Sequence, residues 1–169
     1  MKKYLILIIL LTILLSGCGL YNLNYFVMPD DTEFLTVIES LDTPKKISDY
    51  MQENFTYELH PFTAVDPYNL WITGKGDCND FSTFGTFMAN YHGYKTYQIR
   101  MYLQNTLYIH FLGVYVEDNY SFTDNQYYYS NFNTFREIVE ESCKHINYEW
   151  TSYKVYDYEN NLIEVGNFN

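Results

Sequence analysis

The sequence predicts an α+β fold in which helices precede an antiparallel sheet. Three observations carry this reading. Over residues 31–55 and 78–91, apolar residues recur at three- and four-residue steps, the spacing of a helix lying on a core. After Gly93 the spacing falls to two, and the apolar runs are broken by turn residues such as Gln104-Asn105 and Glu117-Asp118-Asn119. Helical and strand segments are also grouped rather than alternating, which points away from a parallel sheet.

Each element has its own signature. Residues 31–41 place Phe34, Leu35, Ile38 and Leu41 on one helical face. Thr43 followed by Pro44 reads as an N-cap and a first helical position, with Ile47, Tyr50, Met51 and Phe55 as the buried stripe. Residues 57–72 hold Pro61 and Pro67 and show no period, so a long ordered loop is expected there, a kind of segment that is often functional. The helix opening at Cys78 carries Phe81, Phe84, Met88 and Tyr91 on one stripe and Ser82, Gly85 and Ala89 on an adjacent small one. A helix-interior glycine costs about 1 kcal/mol relative to alanine, so Gly85 predicts close approach by a neighbour. Gly93 is the expected left-handed end of this helix. Strands follow at 94–103, 106–116 and 120–123. Asn133 is the expected cap of a further helix, with Phe135, Ile138, Val139, Cys143 and Ile146 inward. Residues 148–158 and 162–165 are expected to pair as a hairpin.

The first 17 residues read as a leader. Lys2 and Lys3 precede an apolar run too short for a membrane span, which takes about 20 residues. The run ends in Leu15-Ser16-Gly17-Cys18, which resembles the lipobox of bacterial lipoproteins. That resemblance implies cleavage before Cys18, lipid on its thiol and anchoring at the outer face of a bacterial membrane. Residues 18–30 would then be a partly apolar tether, and 31–169 one domain. Removing Lys2 and Lys3 from the ten basic residues leaves eight against 21 acidic ones. A chain so acidic is not built for nucleic acid, nor for lying flat on an anionic bilayer. The 20 tyrosines and 12 phenylalanines suit strands and a small core. The run Tyr127-Tyr128-Tyr129, just after Asp124, is expected to line a groove beside it.

Three residues stand out as chemistry. Cys78 follows Gly74-Lys75-Gly76-Asp77 and sits at a helix N-terminus, where unpaired N–H groups and the helix dipole favour a thiolate. It is flanked by Asp77, Asn79 and Asp80, ahead of the apolar stripe, unlike Cys143, which falls on one. His110 lies in a strand apolar on both faces, so it needs partners. Asp124 follows on the next strand, where a tight turn would set it beside His110. Cysteine, histidine and aspartate in this order suit a nucleophile, its base and the group that orients the base. His60 precedes a proline, His92 ends a helix, and His145 lies on a different helical face from Cys143. No cysteine or histidine pair has zinc-ligand spacing.

Gly76-Asp77-Cys78-Asn79-Asp80-Phe81-Ser82, then Gly93-Tyr94, His110 and Asp124, resemble the transglutaminase-like superfamily of papain-like thiol enzymes. The resemblance spans roughly residues 43–129. It implies a papain-like core with the nucleophile helix packed on an antiparallel sheet, and assigns Cys78 as nucleophile, His110 as base and acid, and Asp124 as orienting group. Three positions depart from the family pattern: Phe111-Leu112 in place of a small residue and Trp, Asn125 in place of proline, and Ser82 in place of alanine. The expected activity is acyl transfer at peptide or glutamine carboxamides, with peptidase, amidase and crosslinking outcomes all open and no metal or organic cofactor required. The backbone N–H of Cys78 suits an oxyanion donor, and Trp71 is considered for a second. Two other readings stay open on the residues alone: a lipid-anchored module that holds a peptide or glycan in the same groove, and a structural lipoprotein pinned by a Cys78–Cys143 disulfide.

Overall fold

The computed structural model describes residues 26–59 and 64–168. The leader, the lipobox with Cys18, and His60 lie outside the described residues. Helix α1 (Thr32–Ser40) is capped by the Asp31 carboxylate, which accepts from the N–H groups of Glu33 and Phe34. Helix α2 (Pro44–Asn54) is capped by Thr43 with Pro44 in its first turn. Two short strands, β1 (Thr56–Tyr57) and β2 (Lys75–Gly76), pair in parallel on either side of helix α3 (Pro67–Thr73). α3 corrects the loop expected over 57–72. Asp66 caps it and Pro67 opens it, the same device as Thr43-Pro44, and Gly74 ends it in the left-handed region.

Helix α4 (Cys78–Tyr91) follows, then β3 (Thr96–Leu103), β4 (Ile109–Val116), β5 (Tyr120–Asp124) and β6 (Tyr127–Phe132). Helix α5 (Phe135–Ile146) and the hairpin β7 (Trp150–Asp157) and β8 (Leu162–Asn167) complete the chain. The six longer strands form one sheet in the order β6-β5-β4-β3-β7-β8, every neighbour antiparallel. α5 is capped by Thr134, not Asn133; Glu137 reaches back to accept from the N–H groups of both, which places the cap one residue later than expected. The second strand begins at Ile109 rather than 106, because Leu107 and Tyr108 stand out in solvent.

The sheet separates two cores. On one side Phe34, Ile38, Ile47, Met51, Leu70, Phe81, Phe84 and Met88 of α1–α4 pack together with Tyr115 of β4. On the other, Ile99, Met101, Leu112, Val114 and Phe122 of the sheet meet Phe135, Ile138 and Val139 of α5. Tyr91 is not part of the first core as its spacing suggested; it is half-exposed and packs edge-on against His92. Phe26, ahead of α1, packs edge-on against Phe87 of α4. α4 lies close on β4 because Gly85 has no side chain: a Cβ there would fall 2.2 Å from the Tyr115 hydroxyl, which bonds Thr123 Oγ1 at 2.8 Å. Gly113, directly beneath, would meet the same two side chains at 3.0 and 3.1 Å. Gly93 takes φ +83°, the left-handed turn that closes α4.

Candidate active site

Cys78 is the first residue of α4. The Asp77 carboxylate accepts from the Asn79 N–H at 2.9 Å, and Asp80 Oδ2 accepts from the Asp77 N–H at 2.8 Å, a reciprocal cap. Asp80 Oδ1 accepts from the Val65 N–H at 2.7 Å, so this buried carboxylate also fastens the segment ahead of α3 to the nucleophile helix. At the first helical position the Cys78 N–H has no carbonyl one turn back to bond, which leaves it for a ligand. The thiol is nearly covered and lies 3.9 Å from the carbonyl oxygen of Ile109, the first residue of β4.

His110 comes next along β4. Leu112 of β4 pairs with Asp124 of β5, and cross-strand partners share a face, so Asp124 sits one diagonal step from His110 on the same side. The geometry follows from that register. His110 Nε2 and Asp124 Oδ1 are 2.8 Å apart, with both residues buried. The Cys78 thiol, against the carbonyl of the preceding residue Ile109, is near enough to the ring to influence its pKa. Burial alone would lower the His110 pKa. The hydrogen bond to Asp124, that to Cys78 and the charges of both outweigh it and raise the value from 6.5 to about 10. The ring is thus held as imidazolium at neutral pH. Cys78, His110 and Asp124, the three residues singled out in the sequence, meet in one place.

A fourth member was not singled out. Ser142 of α5 is fully buried, and its hydroxyl donates to Asp124 Oδ2 at 2.6 Å. Asp124 therefore has a partner on each oxygen, His110 and Ser142. The signal was present: Ser142 sits four residues after Ile138 and three after Val139, so it is a polar residue on an apolar stripe. A second support links the first turn of α4 to β3. Gln98 Nε2 donates to Ser82 Oγ at 2.9 Å and to Asn79 Oδ1 at 3.4 Å. Ser82 thus serves as an anchor for Gln98.

Other expectations resolve differently. Cys78 and Cys143 are both free thiols, so the disulfide reading is overturned. Burial, and then the charge of Asp124, raise the Cys143 pKa to about 11. Trp71 packs in the helical layer against Phe34 and Tyr68. Tyr57, paired with Gly76, lies near enough to Cys78 and Asp77 to sense their charge. Burial first, then the charges of Cys78, Asp77 and Asp80, raise its pKa to about 12. Of the tyrosine run, Tyr127 pairs with Asp124, Tyr128 bonds Glu117, and Tyr129 stacks between Phe122 and His145 as part of β6. His92 bonds the Ile38 carbonyl at 2.8 Å. Among the described residues no three histidine, cysteine or acidic side chains are grouped to hold a metal ion.

No known family model matches the sequence, and no curated protein matches it. Solved structures that resemble the fold include two of LapG from Legionella pneumophila. The calcium-bound form is 16% identical with a TM-score of 0.49, covering 72% of each chain. The EGTA-treated form is 15% identical with a TM-score of 0.50, covering 80% of this chain and 79% of that one. The fold is the transglutaminase-like α+β fold, shared with the EGTA-treated structure. At this identity the likeness extends to the fold alone.

Proposed function

We propose that the protein is a cysteine-dependent acyl transferase or hydrolase acting on peptide bonds or glutamine carboxamides, held at the outer face of a bacterial membrane by lipid on Cys18. The observation that carries the chemistry is the buried His110–Asp124 pair beside Cys78, whose thiol lies 3.9 Å from the carbonyl of Ile109, the residue before His110.

The His110 imidazolium stabilises the Cys78 thiolate. The sulfur attacks the substrate carbonyl, and the Cys78 N–H and the positive end of α4 stabilise the oxyanion that forms. As the tetrahedral species collapses, His110 gives its Nδ1 proton to the departing amine, leaving a thioester. The neutral ring then takes a proton from water, or from an amine, as that nucleophile attacks the thioester. The carbon–sulfur bond breaks and the thiolate–imidazolium pair returns. Asp124, fixed by Ser142, holds Nε2–H and balances the charge on the ring. Water as acceptor gives peptidase or deamidase activity, and lysine gives crosslinking.

The test is to incubate the full chain with peptides and glutamine amides, then add hydroxylamine, which captures a thioester as a hydroxamate. Hydroxamate should form with the native protein and be absent with Cys78→Ala. Equal yields from both would sink the reading. The binding-module alternative predicts that Cys78→Ala keeps full biological effect.

A further inference from the structure

We propose that the acyl substrate is an extended peptide with large apolar side chains beside the reacting carbonyl, recognised chiefly by Leu107 and Tyr108 and flanked by Leu59 and Tyr127. This rests on the thiol acyl-transfer reading and names the substrate class of that site.

Several of the large apolar side chains left exposed outside the two cores lie on segments that lead into the catalytic residues. Leu107 is 100% exposed and Tyr108 is 66% exposed. They stand in the β3–β4 turn immediately before Ile109, whose carbonyl lies against the Cys78 thiol, and before His110 itself. Leu59, 57% exposed, follows Tyr57 and Glu58 along the segment laid beside Gly76, two residues ahead of Cys78; the Glu58 N–H donates to the Gly76 carbonyl at 2.9 Å. Tyr127, 54% exposed, is paired in register with Asp124. Four exposed apolar residues thus come from three separate stretches of chain, and the topology gathers all three at the catalytic residues.

The β3–β4 turn is otherwise what a solvated turn should be: Gln104, Asn105 in the left-handed region at φ 58°, and Thr106. Thr106 Oγ1 accepts from the Tyr108 N–H at 3.1 Å, which fixes the tip that presents Leu107 and Tyr108. A leucine held wholly in water gains nothing in the free protein. Covering it on binding returns about 25 cal/mol for each Å² removed from water. The charges nearby are already matched. Glu58 pairs with Lys75 at 2.9 Å, while Asp77 and Asp80 are engaged in the helix cap. Among the described residues, the border of the thiol therefore offers apolar surface beside acidic groups that are already held by partners. Other exposed apolar residues lie elsewhere: Leu162, Ile163 and Val165 on edge strand β8, separated from β4 by β7 and β3, and Val27, Ile72, Tyr148 and Phe168 on other segments.

The test uses short peptidyl chloromethyl ketones that differ only in the side chain next to the reacting ketone: phenylalanine, leucine, serine, aspartate and lysine. The chloride leaves as the thiolate sulfur bonds the methylene carbon. Inactivation rates are measured on the full chain in detergent, with labelling located at Cys78 by mass spectrometry. Iodoacetamide, which has no side chain, is the reference. The phenylalanine and leucine reagents are expected to react about ten-fold faster or more than the aspartate and serine reagents, the size of discrimination apolar contacts supply. A Leu107→Ser, Tyr108→Ser double variant should lose that preference and keep its iodoacetamide rate, since both side chains are exposed and support no core. A native protein with no preference, but with an iodoacetamide rate that depends on His110, would overturn this inference and leave the acyl-transfer reading standing. An iodoacetamide rate indifferent to His110 would overturn both.

Discussion

Asp124 has two oxygens and a buried partner for each, His110 on one and Ser142 on the other. That pairing fixes the imidazole more firmly than a lone hydrogen bond, because the carboxylate cannot rotate without breaking both. Ser142→Ala leaves Oδ2 buried and unbonded, so the protein should lose about 1–3 kcal/mol of stability. An unchanged urea midpoint would show that the bond does not form. His110 gives a second prediction. Its pKa is raised from 6.5 to about 10 in the folded protein, so its charge contributes stability that is fully present below pH 6.5 and is lost as pH climbs through about 10. The stability gap between the native protein and His110→Gln should therefore be wide at pH 6 and narrow steadily toward pH 10. A gap constant across that window would contradict the assignment. Cys78, His110 and Asp124 were legible in the sequence because residue type, order and local context all agreed. Ser142 was not, because its partner is 18 positions away in another layer, and a buried serine on an apolar stripe does not say what it bonds.

At the scale of elements, α4 is the part on which the site depends, since it carries the nucleophile at one end and lies close on β4 along its length. Gly85→Ala tests that contact. The new methyl would meet the Tyr115 hydroxyl at 2.2 Å and force it off Thr123, so a loss of about 1–3 kcal/mol is expected from overpacking. A more stable variant, the usual outcome for glycine to alanine in a helix, would mean that the helix and strand are not in contact there. α4 was legible because stripe, cap region and terminal glycine agreed. Helix α3 was missed because its seven residues are too short to show a period and prolines nearby suggested a loop, although Asp66-Pro67 repeated the signal read correctly at Thr43-Pro44. Strand β6 was missed because its burial does not alternate; Tyr127, Ser130 and Asn131 all face solvent.

The whole molecule sets a helical layer against one sheet face and α5 against the other, and the site draws on all three layers. Cys78 comes from the helical layer, His110 and Asp124 from adjacent strands, and Ser142 from α5. The meander from β3 through β5 was legible because short turns join neighbours in sequence. The place of the last hairpin was not, because local pattern shows that β7 and β8 pair with each other but not that β7 joins β3 on the far side from β4. The central claim, that this assembly makes a working thiolate–imidazolium pair, is tested most directly by the rate of Cys78 alkylation by iodoacetamide against pH in native protein and in His110→Ala. Cys143 stays silent near neutrality, with its pKa raised to about 11. The native protein should react about ten-fold faster or more than the variant near neutral pH, because His110, with its pKa raised to about 10, supplies the positive charge that favours the attacking thiolate. Equal rates and matching profiles in the two proteins would contradict the account.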